Sequence, residues 1–559
     1  MVSFGALAAK PFEQTYDPIL SSLGWSSLVA GLPLLTVFAL LGIWKTRAHW
    51  AALAGLVVAI VVAVAAYKMP IGQTLSATAE GAAFGLFPIM WIVVNAIWIY
   101  QMTVSTGHFD VLRRSFGAVS QDQRVQAVII AFCFGALLEA LAGFGTPVAI
   151  TSVMLVALGF GKMKAAAVAL VANTAPVAFG AIAVPITTLA KVTNLSEDTL
   201  AATIGRQTPI LALVVPLALV YMVDGRRGVR QAWPAAVVGG FVFAILQFAC
   251  SNYLFVALTD IVAALGGALA IVLLLRVWQP AQIVGAGDVA LAGVPEARSG
   301  GGGGPAGAFA GQDGRADVAK AYAPYLIIIV VFSLAQVEPV KSWLAHGATT
   351  FDWPGLDIRN PAGKSPSATV FAFGWLPAAG TLLLIAGVLT ALALSVRASQ
   401  TVRAYGATLD QLKWAILTVA AVLALAYVMN LSGQTITIGM WIAGSGGVMA
   451  LLSPILGWFG VAVTGSDTSS NALFGTLQVS AAKGTGISPE LLASANSSGG
   501  VLGKMVSPQN LAIAAAAVGL EGKEGELLRR VLPWALGFLV VMCALVYLQS
   551  TSVLGWMLP

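Results

Sequence analysis

Residues 137–147 read Leu-Leu-Glu-Ala-Leu-Ala-Gly-Phe-Gly-Thr-Pro and close an apolar run, 125–142, that carries a carboxylate, Glu139, inside it. A run of this length reads as a helix crossing a bilayer. A lone carboxylate at bilayer depth is expensive, so such residues face a cavity or mark an ion path. The plainer role, a hydrogen-bonding partner for a neighbouring helix, also fits Glu139. Gly143 and Gly145 permit the left-handed backbone and close approach that end a helix, and Pro147 suits the first turn of a new one. The stretch predicts a helix broken inside the membrane and restarted at Thr146 or Pro147. The free N–H groups and positive dipole end of that restart favour an anion.

The remainder of the chain requires the same solvent. Of its 559 residues 58% are apolar and only 9% are charged, where soluble domains average about 25% charged. Mean hydropathy is +0.89. The three cysteines lie in apolar runs without the spacing of a disulfide framework, redox motif or zinc site. There is no Walker loop, H-E-x-x-H or dinucleotide fingerprint. No cofactor, metal or enzymatic activity is expected, and transport would be secondary, driven by an ion gradient. The net charge of +6 belongs to cytoplasmic loops rather than to nucleic-acid binding.

The expected fold is all-α: a polytopic membrane protein of about 12–16 transmembrane segments with inverted repeats and broken or re-entrant helices. The apolar runs include 206–223, 233–254, 256–275 and 435–460, while 148–160 and 461–482 are short or polar and read as half-helices or re-entrant segments. Lys45 and Arg47, Arg226, Arg227 and Arg230, and Arg529 and Arg530 all follow odd-numbered runs. The positive-inside rule then places those loops in the cytoplasm and the N-terminus outside. Residues 1–277 form an N-terminal transmembrane half and 321–559 a C-terminal one. Between them, 278–320 carries the run Gly300–Gly304 and reads as a flexible cytoplasmic linker with nothing to bury. A polar loop, 338–369, is predicted outside.

The two halves are weakly self-similar. Asn173, Gly180 and Pro185 fall on Asn496, Gly503 and Pro508 without a gap. Small gaps bring Tyr100, Met102 and Ser105 onto Tyr427, Met429 and Ser432, and Gly143 and Thr146 onto Gly465 and Thr468. Repeat 1 spans about 91–205 and repeat 2 about 414–520. The biased composition competes as an explanation, but the matches keep their order. An odd number of runs separates the copies, which would therefore lie upside down to one another, as the repeats of many transporters do.

Three further clusters carry polar chemistry. Thr464-Gly465-Ser466-Asp467-Thr468-Ser469-Ser470-Asn471 matches the first cluster in position and makes Asp467 a second candidate for handling a proton or cation; an ordinary helix N-cap is the competing role. Asn173 and Thr174 form one further group, and Asn496, Ser497, Ser498, Gln509 and Asn510 the other. Their amide and hydroxyl groups suit a small acid, or equally helix-to-helix bonding. Together with Gly143, Gly145, Thr146, Thr468, Ser469, Ser470 and Asn471, they make up the candidate substrate site. Lys504, if at depth, must pair with an acid or an anion, with Asp467 or the substrate as the natural partner. Arg206 reads as interfacial.

On Glu139–Pro147, Gly465–Asn471 and Asn496–Asn510 the chain resembles the bacterial lactate permease family over nearly its whole length. The resemblance implies proton-coupled uptake of L-lactate, with D-lactate and glycolate as further substrates, in a bacterial inner membrane. It makes the partners a small monocarboxylate, a proton and the lipid bilayer. Moving one anion against about 100 mV costs about 2.3 kcal/mol, and a co-transported proton removes that cost. The alternative is a sodium- or proton-coupled carrier of another small organic anion, a dicarboxylate or sugar acid. An intramembrane aspartyl protease would need two facing aspartates, and a channel would turn over far faster than a carrier.

Overall fold

The computed structural model describes residues 11–285 and 314–559, apart from 45, 118, 144, 336, 362, 445, 521 and 522. The centre of the expected linker, 286–313, lies outside the described residues. Its C-terminal end is not linker: helix Arg315–Ala335 begins there, with Asp317 in its first turn complementing the helix dipole.

Helix dominates because a backbone in lipid must satisfy its own polar groups. Among the described residues the only strands are short. Phe12–Glu13 pairs with Ile358–Arg359, and Ala348–Asp352 pairs with Val370–Gly374. Among the described residues ten helices are long and apolar enough to cross a membrane, or up to eleven if the bent pair Lys162–Ala172 and Val177–Thr193 counts as one span. The chain is thus a multi-pass membrane protein. Several of the apolar runs are broken, short or joined to a neighbour. Run 435–460 divides into Gln434–Ala443 and Met449–Thr464, and run 461–482 is cut at Gly465. Run 148–160 is the 12-residue helix Thr146–Ala157. Runs 206–223 and 233–254 share Glu197–Tyr253, whose 57 residues bend back at Asp224 and at Gly225, where φ is +60°.

Two faces can be told apart by what meets there. On one, Gln123 donates to Leu158 O, Lys164 donates to Val223 O, and Gly519 lies against Lys162. Arg530 and Asp224 stand close to Lys164. On the other, Thr476 donates to Val192 O, and Gln14 donates to Asn430 O and Leu431 O, beside the N-terminal strand. We call these the basic face and the strand face.

Tracing the chain between them reveals the symmetry. Gln123–Ala142 leaves the basic face and stops mid-protein, and Thr146–Ala157 returns to it. Lys162–Thr193 then crosses, with a break, to the strand face. In the second unit Met449–Thr464 leaves the strand face, where Met449 packs with Ala481, Ala482 and Leu492. Asp467–Thr485 returns there, and Pro489–Ala517 crosses, with a break, to the basic face. The units have the same order and opposite direction, as expected of an inverted repeat. Inside the second unit the helices approach closely: a Cβ on Gly499 or Gly503 would collide with the backbone of Pro454 or Trp458.

Candidate functional site

Both hairpins turn mid-protein on a glycine with positive φ, +82° at Gly145 and +75° at Gly465. Another residue type is strained there. Each crossing segment is broken at matching depth. In the first, residues 173–179 interrupt the helix, and Ala181, Ile182 and Ala183 adopt left-handed backbone, with φ of 45°, 57° and 58°. In the second, Lys504–Val506 leaves the helix and Pro508–Ala517 restarts it. The restarts are capped by side chains: Ser466 Oγ accepts from Ser469 N at 3.2 Å, and Ser507 Oγ accepts from Asn510 N at 3.3 Å. Two helix N-termini therefore open onto the same central space.

That space is a cavity of about 230 Å³. Its deep wall carries Glu139, Asp467 and Lys504. Residues 465–469 and Gln509 line its helix-terminus side, and Gly143, Gly180 and Ala181 the other. His49 and Trp414 also line it, their rings stacked at 4.5 Å. Helix Ala48–Ala65, which carries His49, begins immediately after Arg47, so the cavity reaches toward the basic face.

The charges at its floor are held closely. Lys504 Nζ donates to Glu139 Oε1 at 2.5 Å, and both residues are buried, 6% and 3% exposed. Asn173 Nδ2 donates to Glu139 Oε2 at 2.9 Å. A Cβ on Gly180 would lie 2.9 Å from Glu139 Oε1, so glycine there makes room for the carboxyl. In the second unit Asp467 Oδ2 accepts from Ser497 Oγ at 2.6 Å and from Asn471 Nδ2 at 3.4 Å, while Asp467 Oδ1 has no partner. Asn496 Nδ2 donates to Asn471 Oδ1 at 2.9 Å, and Asn471 Nδ2 also donates to Pro185 O in the other unit. The related asparagines, Asn173 and Asn496, thus serve an acid each, one directly and the other through Asn471.

The sequence-derived candidates separate into three sets. Glu139, Gly143, Asp467, Thr468, Ser469, Lys504 and Gln509 line the cavity. Asn173, Asn471, Asn496 and Ser497 stand behind it as hydrogen-bond partners of the acids. Thr174 Oγ1 donates to Val171 O, Ser470 Oγ to Gly457 O, and Asn510 Nδ2 to Ser507 Oγ, all local or helix-to-helix bonds. Ser498 is buried with its hydroxyl unpartnered. Gly145 and Thr146 form the hairpin turn and lie off the cavity wall. One expectation is corrected: the direct partner of Lys504 is Glu139, 365 residues away, and not Asp467. The reason is rotational, because the break at 504 points the ammonium across to the first unit. Arg206 donates to Asn252 Oδ1 and Met557 O near the strand face.

Three residues escaped sequence reasoning. Asp260 and Glu80 are buried acids, each 1% exposed, and neither carboxyl oxygen of Glu80 has a hydrogen-bond partner. The rule that flagged Glu139, a lone carboxylate in an apolar run, applies equally to Asp260. His49 carried no signal, since nothing local announces its place beside Trp414.

Comparison with known proteins identifies the family. The L-lactate permease family pattern matches residues 26–553. The chain is 40% identical to the L-lactate permease of Escherichia coli strain K12, over 98% of this chain and 100% of that protein. It is 41% identical to glycolate permease GlcA of the same strain, over 96% and 98%, and 40% identical to the L-lactate permease of Bacillus subtilis strain 168, over 98% and 100%. Among solved structures, MtrF of Neisseria gonorrhoeae aligns over 92% of this chain and 97% of that one, with 15% identity and a TM-score of 0.48. With the family pattern running almost from end to end and full-length relatives at this identity, the chain belongs to the L-lactate permease family, a family of membrane permeases and not of enzymes.

Proposed function

We propose that the protein takes up L-lactate, and with it D-lactate and glycolate, across the bacterial inner membrane by proton symport. The observation that carries this reading is the buried Lys504–Glu139 pair at the floor of a cavity faced by two helix N-termini. A monocarboxylate fits the site's chemistry: an ammonium to pair with, N–H groups and a dipole to attract it, and the hydroxyls of Thr468 and Ser469 for a second polar group. An anion that takes Lys504 away strands Glu139 as a buried charge, a cost of about 3–5 kcal/mol. Protonation of Glu139 removes that cost, so anion and proton bind together and cross as a neutral pair. Asp467, held by Ser497 and Asn471, is the second proton-handling carboxyl. The basic face is cytoplasmic by the positive-inside rule, which leaves the N-terminus outside. Rocking of the two inverted units about the shared floor gives alternating access.

The test is uptake of labelled lactate into proteoliposomes under imposed pH or sodium gradients. Accumulation driven by an inward proton gradient is expected. Uptake that ignores pH and follows sodium overturns the reading and favours a sodium-coupled carrier.

A further inference from the structure

Asp260 lies in the first turn of helix Thr259–Leu274, packed against Gly135–Ala142, which carries Glu139. Gln247 Nε2 donates to Asp260 Oδ1 at 3.2 Å and to Ala175 O, in the break of the first crossing segment, at 3.3 Å. Asp260 Oδ2 has no partner, and the residue forms no ion pair among the described residues. The titratable groups that act on it are Glu139 and, from Glu197–Tyr253, the thiol of Cys250.

Asp260 does not line the central cavity. One turn before it, Val256 and Ala257 line a second cavity, of about 470 Å³, on the strand face, together with Thr187, Lys191, Glu197 and part of the 348–374 hairpin. The order through the protein is therefore strand-face cavity, Asp260, Glu139, central cavity. A buried carboxylate with one oxygen unpaired and no cation beside it is costly by several kcal/mol, whereas a carboxyl carrying its proton is not. The site is built to hold a proton.

We infer that Asp260 is a second proton seat, which supplies Glu139 from the strand face by a route separate from the substrate's. This rests on the proton-symport reading above. In the transfer the O–H bond of Asp260 breaks and one forms on Glu139. Lys504 keeps its protons and passes from Glu139 to the substrate carboxylate. Asp260 regains a proton from water in the strand-face cavity, so one proton enters for each anion carried.

The experiment compares the unmodified protein with Asp260→Asn and Asp260→Glu in proteoliposomes, measuring accumulation of labelled lactate under a pH gradient and lactate–lactate exchange without one. The asparagine variant is expected to lose accumulation at least tenfold while exchange persists, and the glutamate variant to keep both. Wild-type accumulation in Asp260→Asn overturns the inference, as does parallel loss of accumulation and exchange in a variant that still binds lactate. Absence of gradient-driven accumulation in the unmodified protein overturns the symport reading itself. Should Asp260→Asn fail to fold, the unmodified protein decides. Dicyclohexylcarbodiimide, which attacks protonated carboxyls in apolar surroundings, is expected to label Asp260 at neutral pH by peptide mass spectrometry. An unlabelled Asp260 overturns the inference.

Discussion

Replacing Glu139 with glutamine keeps the shape of the side chain and its bond from Asn173 but removes both the charge opposite Lys504 and the site for a proton. In the unmodified protein Lys504 Nζ sits 2.5 Å from Glu139 Oε1, and Glu139 is 3% exposed, so an incoming anion must break a buried pair. If each anion brings one proton onto Glu139, mass action makes the dissociation constant rise tenfold for each pH unit over which that proton is taken up with the anion, about 1.4 kcal/mol each. Over two pH units the expected weakening is roughly 100-fold, with the sign that affinity falls as pH rises. In Glu139→Gln this slope should vanish. Lys504 is already free for the anion, and no proton need accompany it. Binding of lactate to purified protein, measured by calorimetry across that range, reads the slope directly. Uptake measurements should show exchange without gradient-driven accumulation. A Glu139→Gln protein that keeps the steep pH dependence, or still accumulates lactate against a gradient, refutes the role given to Glu139.

Lys504→Ala removes the ammonium and should raise the apparent substrate constant 30-fold or more, since breaking a buried charge pair costs roughly 2–5 kcal/mol; an unchanged constant makes the lysine structural. Gly503→Leu drives a side chain into the backbone of Trp458 and should abolish recovery of folded protein on size-exclusion chromatography, with Gly537→Leu, whose Cβ would meet open space, as the tolerated control. Arg124 is fully buried and bonds Asp122, Asp224 and Gln231. Arg124→Met should destabilise by about 3–5 kcal/mol through the stranded acids, seen as a lower melting temperature in detergent; an unshifted melting curve contradicts that assignment.

Much of this architecture was legible because composition alone chooses the solvent. Apolar runs must be helices in lipid, and the glycines at 143, 145 and 465 mark where the helices stop. The repeat was legible as ordered matches such as Asn173 with Asn496. Which runs end mid-membrane was less so. Hydropathy measures apolar length, and it cannot tell a half-helix ending mid-membrane from a short span.

Within the site, sequence alone supplied the scarce polar groups and the inverted order, because charge at bilayer depth is costly wherever it falls. It did not supply their pairing. Asn173 serves Glu139 instead of facing the cavity, Lys504 crosses to the first unit, and Asp260 comes to stand behind Glu139. Each of these depends on helix rotation and on contacts between segments far apart in the chain. Local composition carries no information about rotation, and only the packing of both units around one centre determines it.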